Sequence, residues 1–255
     1  LLGGTGNKKE REIQMADQKV KGRVSQIVNG QSVQKNMFST LVDIVFVIDA
    51  TGSMGNLINE VKARALSMHE DIINGLRDKK RKVTKMRIKV VVFRDIYVDP
   101  VPFEVSEFFT LPEESDEFRS FVENIRATGG GDEPENSIEA LYMAMQSDFQ
   151  MLEQGQKGRQ IVVMLTDASA HRLDHPQRAS HSRYPQGMPA DLEGVHAMWE
   201  DMDFRAKRMV VFAPNVWPWT EIAMWNSVDY KPSAAGSGID KDTFDSVIQS
   251  IAGSV

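Results

Sequence analysis

From Leu41 onward the chain alternates apolar runs of strand length with segments whose apolar residues recur at helical spacing. The runs predict strands over 41–48, 86–94, 161–165 and 208–213, a weaker one over 103–111, and a short piece over 228–230. Between them Leu57, Val61, Ala65, Met68, Ile72 and Leu76 fall on one helical face, with Gly75 as a stop signal. Further helices are marked by Phe118, Phe121, Val122 and Ile125; by Ile138, Leu141, Tyr142 and Met145; by Leu192, Val195, Trp199 and Met202; and by Phe244, Val247, Ile248 and Ile251. This alternation predicts a layered α/β fold with a mainly parallel central sheet. Segments 86–94 and 103–111 are separated by little more than a turn, which predicts one antiparallel hairpin at a sheet edge.

Before Leu41 the rhythm fades. Residues 1–36 are polar, with only Val20, Val24, Ile27 and Val28 in weak register, and read as an extension to a domain over 37–255. Gly3, Gly4 and Gly6 lack the fixed Gly-to-Gly-Lys-Ser/Thr spacing of a phosphate-binding loop. A chain of 255 residues, 41% hydrophobic, can bury one substantial core. Its formal charge of -6 argues against a nucleic-acid or anionic-membrane surface and favours a small-molecule or protein partner. With no cysteine, disulfides, zinc–thiolate sites and thiol nucleophiles are excluded. The longest apolar runs are far below the roughly 20 residues of a membrane span, and no signal-peptide pattern opens the chain, so a soluble cytoplasmic protein is expected.

In an open parallel sheet, ligands sit beyond the carboxyl ends of the strands. Three stretches rich in oxygen donors end there: Asp49, Thr51 and Ser53 after the first strand; Thr166 and Asp167 after the 161–165 strand; and the run from Thr128 to Glu135, which contains Asp132. Mg2+ asks for six oxygens in near-octahedral array. Asp49, Thr51 and Ser53 alternate along a turn and can offer one carboxylate and two neutral hydroxyls, which leave the cation much of its charge for an incoming acid.

These residues resemble the metal-ion-dependent adhesion site of von Willebrand factor A domains. Asp49-Xaa-Thr51-Xaa-Ser53 is similar to its first motif, usually Asp-Xaa-Ser-Xaa-Ser, and Asp167 to its later aspartate. Residues 43–54, 129–135 and 167–171 look like the intracellular and bacterial-type branch. The resemblance implies a Rossmann-like three-layer sandwich, bound Mg2+ or Mn2+, and a partner protein whose carboxylate completes the coordination. It also implies service in assemblies with ATPases, kinases or other enzymes, as scaffold or regulatory subunit rather than as enzyme. The second-loop threonine of the family has no clean counterpart: Thr128, Asp132 and Glu135 all stand as candidates, and Asp132 with Glu135 also reads as a capping box around Pro134.

Rival readings accompany each feature. The first motif also suits a turn and helix cap. A metal-dependent hydrolase or phosphoryl-transfer enzyme could use Asp49 or Asp167, but no base, nucleophile and oxyanion donor can be assigned together, and Thr51 stands where a phosphoaspartate loop needs a second aspartate. His171 and His175 have a zinc-like gap with only Asp174 beside them, which favours loop histidines without ligation. Arg94 and Asp95 are placed to brace the metal loops or, equally, to form an ordinary turn salt bridge. Trp217 and Trp219 serve as partner anchors or as core cover, and the long segment 168–190 is a candidate lid or binding loop.

Overall fold

The structure is a computed structural model that describes residues 40–65, 67–78, 83–129, 133–154, 156–178, 181–234 and 241–255. Seven strands form one sheet: β1 (Thr40–Asp49), β2 (Lys85–Phe93), β3 (Phe103–Val105), β4 (Phe109–Leu111), β5 (Lys157–Leu165), β6 (Lys207–Pro214) and β7 (Val228–Ser233). Their order is β3-β2-β1-β5-β6-β7, with β4 also paired to β2. Strands β2, β1, β5, β6 and β7 are mutually parallel, whereas β3 and β4 run antiparallel to β2 at the edge. The expected edge strand over 103–111 is split in two. Between its halves Ser106 bonds Val90 twice, its backbone N–H donating to the Val90 carbonyl and its hydroxyl accepting from the Val90 N–H, both at 2.9 Å. A side chain thus stands in for a ladder carbonyl and interrupts the run.

Both faces of the sheet are covered, so its central strands are apolar throughout. Val42, Ile44, Phe46 and Ile48 of β1 pack with α1 (Gly55–Arg64), α2 (Met68–Asp78), α3 (Ser115–Asn124) and α7 (Lys241–Ser254). Val45 and Val47 face α4 (Ser137–Met145), α5 (Leu192–Asp201) and the short α6 (Trp219–Ile222). The result is the three-layer α/β sandwich expected. The stripe from Leu57 to Leu76 is divided between two helices, with all six residues buried. Ser67 starts the second: its carbonyl accepts from Asp71 N–H at 2.9 Å and its hydroxyl bonds the Asp71 carboxylate at 3.1 Å. Gly75 does not stop α2, which continues to Asp78. It lets α2 approach α7, because a Cβ on Gly75 would meet the Ala252 Cβ at 3.0 Å.

The extension over 1–36 and Asp132 lie outside the described residues. Among those described, no helix is long and apolar enough to cross a membrane.

Candidate functional site at the carboxyl ends of the strands

Strand register decides which side chains meet. Ile48 of β1 lies opposite Leu165 of β5, so the next residues, Asp49 and Thr166, emerge side by side at the sheet end. Asp49 also pairs with Phe93, and the Ala50 N–H donates to the Phe93 carbonyl at 2.9 Å, so the chain leaves β1 still tied to β2. Beyond it a single 3-10 turn, Gly52–Met54, leads directly into α1.

Asp49 is fully buried, and each of its oxygens accepts hydrogen bonds. Oδ1 takes the Thr51 backbone N–H at 2.9 Å and the Thr51 hydroxyl at 2.6 Å; Oδ2 takes the Thr166 hydroxyl at 2.7 Å. The Ser53 hydroxyl donates to Asp167 Oδ1 at 3.0 Å, joining the first loop to the end of β5. The second loop is clamped to the first by its backbone: Thr128 N–H donates to the Ala50 carbonyl at 2.9 Å, and Gly52 N–H to the Gly129 carbonyl at 3.2 Å. Gly129 has φ +78°, and a Cβ there would collide with the Asp99 carboxylate. Only glycine serves at that position.

The structure therefore places two hydrogen-bonded pairs, Asp49 with Thr51 and Ser53 with Asp167, at one sheet end, with Thr166 bonded to Asp49 and next to Asp167 in the chain, and Thr128 of the second loop alongside. Asp49, Thr51 and Asp167 are buried while Ser53 and Thr128 are exposed, so the group has a dry floor and an open rim. Burial, with the Asp167 charge adding to it, pushes the Asp49 carboxyl up to about 6 against three hydrogen bonds that lower it. Two buried carboxylates and several hydroxyls are a hard-oxygen donor set. Asp49, Thr51, Ser53 and Asp167 thus fit a divalent ion chemically.

Glu135 has a different setting. It is buried and lies before α4, where its backbone bridges to Ala170: Glu135 N–H donates to the Ser169 carbonyl at 3.0 Å and His171 N–H to the Glu135 carbonyl at 2.8 Å. Of the capping box read for Asp132 and Glu135, Asp132 lies outside the described residues and Glu135 precedes the helix's N-cap. Asn136 occupies the N-cap position and Glu139 stands three residues on, with its carboxyl accepting from its own backbone N–H.

Arg94 makes a salt bridge across the hairpin turn and also reaches the start of the second loop. Its guanidinium donates to the Arg126 carbonyl at 2.7 Å, to the Val101 carbonyl at 3.0 Å and to Glu104 at 2.9 Å. Trp219 is core cover, fully buried with its indole N–H donating to the Ala168 carbonyl at 2.9 Å, and half-buried Trp217 lies under the Arg172 guanidinium at 4.9 Å.

His171, His175 and His181 gather around Tyr97, with the His175 ring stacked on it at 3.9 Å and the His171 Nε2 3.3 Å from Asp95. Among the described residues, no group of three or more His, Asp or Glu side chains is placed to hold a metal ion. Segment 168–190 is tied down by Arg178, which donates to the carbonyls of Leu173, Met188, Pro189 and Ala190. Tyr184, from the same segment, donates to Glu139 Oε1 at 2.6 Å. Sequence reasoning placed Thr166 among the oxygen donors at the strand end but did not foresee its bond to Asp49, and it missed Glu139. The signal for Glu139 was a lone acid amid Ile138, Ala140 and Leu141.

A sequence model of the von Willebrand factor A domain matches residues 43–182. The alpha-protein kinase vwkA of Dictyostelium discoideum is 26% identical over 155 residues, 61% of this chain and 22% of that protein. The human von Willebrand factor A domain-containing protein 7 is 34% identical over 114 residues, 42% of this chain and 11% of that protein. The chain thus spans a minor part of each relative. Among solved structures, the pilus adhesin SpaC of Lactobacillus rhamnosus GG aligns over 84% of this chain and 30% of its own, with TM-score 0.52 and 8% identity, a likeness of fold.

Proposed function

The chain belongs to the von Willebrand factor A domain family, and from that premise we propose that it is a divalent-cation-dependent protein-interaction module. Asp49, Thr51, Ser53 and Asp167 would hold Mg2+ or Mn2+, and a carboxylate of the partner protein would enter from the open rim. The observation that carries this reading is the meeting at one sheet end of two hydrogen-bonded pairs, Asp49 with Thr51 and Ser53 with Asp167, the acids buried and Ser53 exposed. A bound ion supplies a positive charge for the partner's acid; with only two carboxylates in the set, that charge is not quenched by the chain itself. Thr128 contributes from the rim, whereas Glu135, folded into its bridge with Ala170, is assigned to shaping the loop.

We assign the partner to an intracellular assembly, such as one built on a kinase or an ATPase; that one relative is an alpha-protein kinase supports this class. The test is capture of partners from a lysate with Mg2+, with EDTA, and with Asp49→Ala. Binding lost in the last two supports the reading. Capture indifferent to both would overturn it, and phosphoester or nucleotide turnover abolished by Asp49→Asn would favour an enzyme instead.

A further inference from the structure

The end of the sheet opposite the candidate site carries apolar side chains that the core does not cover. Met151 is 89% exposed and Phe204 74%, two of the three most exposed large apolar side chains among the described residues. They stand on different loops, one before β5 and one before β6, and Gln160 ties those loops together. Its side-chain amide donates to the Gln150 carbonyl at 3.4 Å, and its backbone N–H to the Ala206 carbonyl at 3.0 Å. Half-buried Leu152 lies so close to Gly158 that a Cβ there would collide with it, and half-buried Met202 leads from α5 toward Phe204. Exposed acids border this apolar strip: Asp148, Glu153 and Asp201. Against them stand Lys157 and Arg205, the latter engaged by Asp203 at 3.1 Å, so the border is net negative.

The chain enters the sheet beside the strip. The described structure begins at Thr40, opposite Lys157 in the register of β1 and β5. Just beyond, Asp43 accepts the backbone N–H of Gln150 at 2.7 Å and its side-chain amide at 2.6 Å, which holds the neighbour of Met151 at the point of entry. Before Thr40 the sequence places Val20, Val24, Ile27 and Val28 at helical spacing, with Lys19, Lys21 and Arg23 among them and no acid between Asp17 and Asp43. We propose that residues 20–28 dock their apolar positions on the strip formed by Met151, Leu152, Met202 and Phe204, with the three cations toward its acidic border. Residues 29–39 can extend to roughly 40 Å. Two strand spacings, about 10 Å, separate β1 from β6, so the tether reaches the whole strip. A tethered segment meets its site at a high effective concentration and needs little intrinsic affinity, and methionine side chains adapt to the branched Val and Ile. A second copy is a poorer occupant, because pairing two strips sets acidic border against acidic border. Docking here leaves the opposite end of the sheet open to a partner.

Hydrogen exchange and peroxide oxidation of the full chain test this in three forms: the wild type, Met151→Ser with Phe204→Ser, and Val24→Asp with Ile27→Asp. Amides over 20–28 should exchange roughly tenfold or more slowly in the wild type than in either double variant, while amides of β1 and β5 keep their rates in all three. Met151 should oxidise faster in Val24→Asp with Ile27→Asp than in the wild type, a change that loss of local structure in the segment alone would not cause. Equal exchange over 20–28 in the wild type and the Met151 and Phe204 variant overturns the proposal, as does a Met151 oxidation rate that ignores Val24→Asp with Ile27→Asp. If the Met151 and Phe204 variant does not fold, the oxidation rate decides. Protection over 20–28 that fades on dilution of the wild type assigns the strip to a second copy and also overturns it; protection independent of concentration supports it.

Discussion

The phenol of Tyr184 donates to Glu139 Oε1 at 2.6 Å, joining segment 168–190 to the first turn of α4. Burial raises the Glu139 carboxyl above its ordinary 4.5, with the Tyr184 hydrogen bond the largest opposing influence. The folded state therefore holds this proton more tightly than the unfolded state. The associated stability is complete below pH 4.5 and is lost as pH rises through the raised value. Glu139→Gln should flatten that decline in melts between pH 4 and 8. Tyr184→Phe, which strands a buried acceptor, should cost about 1–3 kcal/mol at pH 8 and less at pH 4.5. A loss that does not vary with pH would contradict the assignment.

Gly75 and Ala252 set the distance between α2 and α7. Replacing a helical glycine with alanine ordinarily stabilises by about 1 kcal/mol, but the added Cβ would sit 3.0 Å from that of Ala252. Neither methyl can rotate away, so the helices must part, an overpacking cost of roughly 1–3 kcal/mol. Gly75→Ala should therefore lower the denaturation midpoint, and adding Ala252→Gly should restore it. A stabilised single variant would mean that the helices separate freely.

Asp49 lets metal binding and folding be set against each other. Its carboxyl, pushed up to about 6, loses stability for the folded chain as pH rises from 3.8 through 6 when no cation is present. At pH 7.5 without metal, Asp49→Asn should thus match the wild type or exceed it by up to roughly 2 kcal/mol, because a buried charge is removed. With Mg2+ the order should reverse. A cation bound only by the native state adds about 2.7 kcal/mol at a hundredfold excess over its dissociation constant, and the variant should gain none of it. Differential scanning fluorimetry with and without Mg2+ reads both effects; a wild type whose melting temperature ignores Mg2+ contradicts the proposed site.

The central strands were legible because burial on both faces leaves Val, Ile and Phe in unbroken runs. β5 starts at Lys157, four residues before its apolar part, because pairing with β1 rather than hydrophobicity extends it through Lys157, Gly158, Arg159 and Gln160. The split at Ser106 was invisible, since it depends on a hydroxyl meeting Val90 across the sheet. Helix α6 is only four residues long, too short to show a period. For the candidate site, Asp49, Thr51, Ser53 and Asp167 could be read in advance because each follows a strand end on the same edge. The pairing of Thr166 with Asp49 could not, because it is set by the register between β1 and β5, and that register appears only when the strands are side by side.

Arg178 offers the sharpest test of how segment 168–190 is held. Its guanidinium donates to four carbonyls, those of Leu173 at 2.6 Å, Met188 at 2.8 Å, Pro189 at 2.5 Å and Ala190 at 3.2 Å, and lies 5.0 Å from the Tyr184 ring centre. These contacts need a planar fork of donors, which lysine lacks. Arg178→Lys keeps the charge and the aliphatic stem but serves fewer of the carbonyls. Because the described part of the segment enters the apolar layer through Ala170, Leu173 and Met188 and otherwise lies at its edge, the cost should appear first as local opening rather than global unfolding. Hydrogen exchange over 171–190 should accelerate by about tenfold or more in Arg178→Lys, in line with the loss of one to two kcal/mol of charge-assisted bonding, while amides of β1 and β5 keep their rates. Uniform acceleration across the sheet would mean that the segment is part of the cooperative core, and unchanged exchange would mean that the arginine does not fasten it.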